Sequence, residues 1–209
     1  MLRWIASFIF CLSFTSAEET HWSLRPLEQP AIPKSNYASP VDTFIWMQLE
    51  SAELSFSAPA EKRTWVRRVY YDLIGLPPSP AEINDFLNNT QPNAEEILVD
   101  NLLASPRHGE RWARHWMDVV RYAETHGHDE DAIRENAWPY RDWLIRALND
   151  DMPYDEFVRL QLAGDHLKRT DPDAWVATGF LVAGVENLIQ SRKEFERDRY
   201  DKVDDMVST

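Results

Sequence analysis

Apolar residues along this chain recur at helical spacing, and the breaks between them carry helix start and stop chemistry. Ser39 before Pro40 opens the first stretch, residues 40–52, where Phe44, Ile45 and Leu49 share one face. Ser57 and Pro59 precede residues 60–74, and Gly75 stands where a left-handed glycine closes a helix. Ser79, Pro80 and Glu82 make a capping box with proline at the first helical position, ahead of Phe86 and Leu87. Asn93 and Glu96 repeat that device before Ile97, Leu98, Leu102 and Leu103, and Ser105-Pro106 opens a long helix predicted to reach Glu124. Two further helices are expected over residues 138–149 and 154–163, the second closed by Gly164. A small-residue segment over 172–183 and a charged helix over 191–207 complete the chain.

No run alternates apolar and polar residues over the length a half-buried strand needs, and six glycines in 209 residues argue against a hairpin-rich fold. The expectation is an all-α fold. Residues 40–209 form a compact multi-helix domain, preceded by an extended arm over residues 18–39 that carries Pro26, Pro30 and Pro33. The charged last helix has Asp204 and Asp205 in its final turn, where the helix dipole favours cations, and no glycine or asparagine terminates it. That pattern predicts a domain that is incomplete at Thr209.

The front of the chain changes the compartment. Arg3 is followed by an uncharged apolar run over residues 4–14, then by Thr15-Ser16-Ala17 and two glutamates, which is the order of a secretory signal peptide cut after Ala17. The alternative is an uncleaved anchor, but a helix needs about 20 apolar residues to cross a hydrocarbon core. A lipoprotein reading through Cys11 is weaker, because Phe10 stands where a small residue is wanted. The protein is therefore expected to be exported, to the periplasm or beyond, with no membrane attachment after cleavage.

The net charge of −13 becomes −14 once Arg3 leaves with the leader, which excludes partners that select basic surfaces, such as duplex nucleic acid or an anionic membrane. The one cysteine, Cys11, lies in the leader, so the mature chain forms no disulfide and holds no covalent c-type haem by itself. Of nine tryptophans only Trp4 is in the leader, leaving aromatic residues to supply much of the core.

Candidate chemistry concentrates in residues 107–140. On a helix, Trp112, Trp116, Val119 and Ala123 form an apolar stripe, and Arg111, His115, Asp118 and Tyr122 repeat its spacing one position earlier as a polar stripe. Such a stripe is either a catalytic cleft wall, with Asp118 orienting His115, or a satisfied structural network; both readings predict that His115 and Asp118 are buried and hydrogen-bonded to one of the next two helices. His126, His128, Asp129 and Asp131, with Glu130 between them, have the ligand types of a divalent-metal site, although solvated acidic turns share that composition. Asp165, beside His166, is placed where it could face Asp118 and Glu124, an arrangement that would suit two-carboxylate glycoside chemistry. No nucleophile elbow, P-loop or dinucleotide fingerprint is present.

Several longer stretches carry a family resemblance: HWSLRPLEQPAIP at residues 21–33, SPVDTFIWMQLE at 39–50, RRVYYDLIGLPPSPAEINDFL at 67–87, VDNLLASPRHGERWARHWMDVVRYAET at 99–125, NAWPYRDWLIRALNDDMPYDEFVRLQLAGDHL at 136–167 and ATGFL at 177–181. Together they resemble the cytochrome-associated domain of unknown function found in exported proteins of planctomycete bacteria. The resemblance implies a large secreted protein with a c-type cytochrome domain nearby, and a haem-binding C-x-x-C-H segment downstream of residue 209 or on a partner. It assigns no reaction. From these residues the leading expectation is an exported accessory domain of a haem-associated multidomain protein, serving extracellular polysaccharide breakdown. A metal-assisted or two-carboxylate hydrolase acting on polysaccharide is the alternative, and a non-catalytic scaffold the third.

Overall fold

The computed structural model describes residues 20–127, 131–185 and 195–208. The leader, His128 and Asp129 lie outside the described residues. The chain divides into two compact units, Met1–Ala58 and Pro59–Thr209.

In the first unit a short 3-10 turn, Trp22–Leu24, is followed by chain without helix or strand up to α1, Pro40–Ser51. The Ser39 hydroxyl accepts from the Asp42 N–H at the start of α1. Thr43 is buried there, its hydroxyl 2.6 Å from that of Ser35 and donating to the Ser39 carbonyl at 3.2 Å. Tyr37 packs edge-on against Phe56 and tilts against Trp46, so this unit has a small aromatic centre of its own.

The second unit holds α2 (Lys62–Ile74), α3 (Pro80–Asn88), α4 (Ala94–Leu103), α5 (Pro106–Val119), α6 (Trp138–Asn149), α7 (Tyr154–Leu167), α8 (Pro172–Ala177) and α9 (Phe195–Ser208). Among the described residues there is no strand, only one isolated antiparallel bridge between Thr125 and Ile133. The fold is all-α. Two of the start and stop signals work as the sequence indicates: Ser79 and Glu82 form both halves of the capping box, and Gly75 takes φ +70° at the end of α2. Asn93 is the N-cap of α4 without a side-chain cap bond, so the device is not repeated there.

Two cores lie side by side within this unit. Val66, Tyr70, Ile74, Phe86, Ala94 and Leu102 close α2, α3 and α4, with Trp65 stacked on Phe86 at 5.3 Å. Ala113, Tyr140, Trp143, Leu144, Phe157 and Leu160 are the centre of the second core, built by α5 to α8. Helix α5 serves both. The His108 Nδ1–H donates to the Leu73 carbonyl at 3.0 Å, and the Arg111 side chain lies over Gly75 where any Cβ would collide with it. On its other side Gly109 lets α5 approach the Ile145 carbonyl, with Asn149 accepting from the Gly109 N–H at 2.8 Å.

Two helix ends differ from the sequence expectation. Helix α5 stops at Val119, because Arg121 adopts φ +55° and the Tyr122 N–H turns back to the Met117 carbonyl at 2.9 Å. Helix α7 does not end at Ala163; it kinks there, with φ −151°, and continues to Leu167. Gly164 follows the kink because a Cβ would strike the Ala174 carbonyl, so this glycine serves a close helix contact and not a helix end. The small-residue segment forms a short helix, Pro172–Ala177, and continues as a 3-10 turn, Thr178–Val182.

Helix α9 buries none of its residues, and Phe195, Tyr200, Val203 and Val207 are exposed. Its acidic last turn has a specific partner: Asp205 forms an ion pair with Arg121 at the end of α5.

Candidate functional site

The polar stripe of α5 does not assemble into a site. His115 and Asp118 are both exposed and make no hydrogen bond to α6 or α7, which corrects the expectation that they are buried. Two geometric facts explain this. The helix ends before Tyr122, so the stripe loses its fourth member. The face that α5 buries is also centred on Gly109, Ala113 and the half-buried Trp116, so Trp112 and Val119 flank the core instead of filling it. The Arg111 side chain packs over Gly75 at the end of α2, with its Nε buried there.

The polar group that α5 to α7 do bury is Gln161, 2 % exposed. Its Oε1 accepts from the Trp116 indole N–H at 2.8 Å and from the Tyr140 hydroxyl at 2.7 Å, while its Nε2 donates to the Phe157 carbonyl at 3.2 Å. Burial pushes the Tyr140 phenol far above its ordinary pKa, so it remains a donor. Trp143 stacks between Tyr140 and Phe157, which fixes the ring that presents this hydroxyl.

Beside Tyr140 opens a cleft of about 490 Å³, whose lining includes Tyr122, His126, Arg134, Glu135, Asn136 and Tyr140. The turn after α5 forms one wall. It is closed by the Thr125–Ile133 bridge, by the His126 N–H donating to the Ala132 carbonyl at 2.9 Å, and by Gly127 at φ +67°. Arg134 locks this wall to the opposite one: its guanidinium donates to the carbonyls of Val182, Ala183 and Gly184, and its Nε–H reaches His126 Nδ1 at 3.3 Å. At the mouth, Glu124 is held by Arg141 and accepts from the Tyr122 hydroxyl at 3.5 Å. Partial burial, with the Glu124 charge beside it, raises the Tyr122 pKa.

Of the residues proposed from sequence, Tyr122 and His126 line this cleft. Asp165 lines a neighbouring depression of about 440 Å³ that shares Asn136 and Tyr140, and its Oδ1 accepts from the His166 N–H. Asp118 is exposed on α5 and Glu124 is taken by Arg141, so the three carboxylates have separate settings. Asp131 is held below the usual carboxylate range by the Thr125 hydroxyl and the Gly127 N–H, the role of a turn-closing residue. Among the described residues, no three His, Cys, Asp or Glu side chains are grouped to hold a metal ion.

Arg134, Asn136 and Gln161 were not legible as site or network residues. Arg134 and Asn136 stand in a polar run with Glu135 that has no motif spacing, and Gln161 stands between two leucines; the role of each comes from what the fold sets opposite it. A covalent c-type haem does not fit the donor set of this chain, whose single cysteine is Cys11.

Residues 40–209 match the PSCyt2 family, described as a protein of unknown function (DUF1549), and the chain belongs to that family. No curated protein and no solved structure matches the chain.

Proposed function

We propose that this chain is an exported accessory domain that holds an oxygen-rich ligand, such as the end of a polysaccharide, in the cleft between Tyr122 and Tyr140. The association with c-type cytochromes and the planctomycete setting implied by the family resemblance belong to this proposal. So does the C-x-x-C-H segment, which would lie on another part of the protein or on a partner. The observation that carries the reading is the Arg134 clamp, which fixes both cleft walls while Tyr122, Glu135 and Asn136 remain on the lining. Preformed walls with a few polar groups are the usual build of a ligand site. Phenol, amide and carboxylate side chains suit hydroxyl groups, which both donate and accept. Among the described residues no helix is long and apolar enough to cross a membrane.

The rival is a hydrolase, with His126 and Tyr122 in the cleft and metal ligands from residues 126–131. One experiment separates them. The exported protein is titrated with a panel of soluble oligosaccharides and assayed for their cleavage, with and without divalent metals. The accessory reading expects saturable binding without turnover, weakened about tenfold by Asn136→Ala, equivalent to about 1.4 kcal/mol. Turnover abolished by His126→Ala, His115→Ala or Asp118→Asn in a folded protein would establish the enzyme. Neither binding nor turnover would leave the scaffold.

A further inference from the structure

A second cleft of about 340 Å³ lies between α5, α6 and the start of α7, away from the Arg134 clamp, and its composition is different. Four aromatic side chains line it: Trp112 and Trp116 from α5, and Tyr154 and Phe157 from α7. Trp112 is 43 % exposed and Tyr154 is 71 % exposed, so large aromatic surface is left open to solvent. Trp116 and Phe157 meet edge to face at 5.0 Å, and Tyr154 stacks on Phe157, which holds the rings in place. Asp151 is the one carboxylate on the lining, and no lysine or arginine stands there; His115 and the Tyr154 phenol are the other ionisable groups.

We propose that this cleft binds a small organic cation, a methylated ammonium group, by cation–π contact with the aromatic walls and charge pairing with Asp151. Three observations point to that chemistry. Aromatic walls attract a desolvated cation through the negative faces of their rings. Asp151 directly follows the C-terminus of α6, where the last carbonyls already concentrate negative potential, and Asp150 beside it adds to this field. Among the described residues the Asp151 carboxylate forms no ion pair. The net charge of −13 draws cations toward the molecule as a whole.

The same composition disfavours a sugar here. A pyranose brings several hydroxyl groups, and the polar atoms on this mostly apolar lining, on Asp151, His115, Tyr154 and Trp112, are too few to pair all of them. A quaternary ammonium group, such as that of choline, has no N–H to donate and needs only apolar walls and one opposing charge. The left-handed backbone of Asp151, φ +48°, is tolerated by asparagine as well, so the turn by itself does not require a carboxylate.

The test uses the exported protein and follows tryptophan fluorescence and calorimetry while adding choline, then its uncharged isostere 3,3-dimethylbutanol, then methyl glucoside. Choline is expected to bind at least tenfold more tightly than the isostere. Trp112→Ala and Asp151→Asn should each weaken choline at least tenfold while leaving the circular dichroism spectrum intact. Both positions are on the surface, and Asp151→Asn keeps the backbone conformation. Equal binding of the neutral isostere, preferential binding of the glucoside, or no binding of choline would overturn the proposal. This site shares no lining residue with the Tyr122–Tyr140 cleft, so success or failure here is independent of the oligosaccharide titration.

Discussion

Gln161 and the pair His115 and Asp118 are opposite cases of a polar residue on a helix of the same bundle. His115 and Asp118 carry the chemistry that attracts attention in a sequence, and the fold leaves both in water. Gln161 is flanked by apolar residues in VRLQLAG, and the fold buries it with three hydrogen bonds. The difference teaches that functional-group density marks a surface as readily as a site. A single amide in an apolar stretch, by contrast, has to find partners or destabilise the core.

Substituting Gln161 should have the largest effect. Gln161→Ala leaves the Trp116 N–H and the Tyr140 hydroxyl without their acceptor, at about 1–3 kcal/mol for each buried donor, and opens a cavity besides. A loss of about 3–5 kcal/mol in chemical denaturation is expected. Gln161→Met restores the volume but not the acceptor, so it should still lose about 2–4 kcal/mol. If Gln161→Met were as stable as the wild type, packing alone would explain the burial and the contrast would collapse.

An intermediate effect is expected at Tyr70, the buried phenol of the first core. Desolvation, followed by the nearby Glu82 carboxylate, raises its pKa from 10.0 to about 12. Because the folded state favours the neutral phenol, this stabilisation is complete below pH 10 and is lost as pH rises from about 10 through about 12. Alkaline melts of the wild type and of Tyr70→Phe should therefore converge across that window. Parallel curves would show that Tyr70 ionises freely.

His115→Ala and Asp118→Asn should be the smallest, each within about 0.5 kcal/mol of wild type in urea denaturation, since both are exposed and the contact of the His115 ring is with the exposed Trp112 ring. A loss above about 1.5 kcal/mol from either would show a structural network and restore the sequence expectation.

Helix identities were legible because they rest on local chemistry. Ser79 and Glu82 satisfy the first N–H groups of α3 whatever surrounds them, and Gly75 meets its left-handed turn at no steric cost. Tyr122 and His126 were found as candidates because they fall in the segment richest in polar groups, although the assigned helix was too long. The end of α5 was not legible, since Arg121 takes a left-handed conformation that few sequences announce for arginine.

What the sequence determined by itself is therefore the all-α class, the order of the helices and most of their boundaries, since each depends on contacts within a few residues. Tertiary structure alone decided which face of α5 is buried, that Gly109 and Gly164 serve helix contacts, and that Arg134 joins residues 126 and 182–184. The same holds for Gln161, which unites α5, α6 and α7. These are pairings across long sequence separations, and the free energy of each depends on a partner that no local pattern names.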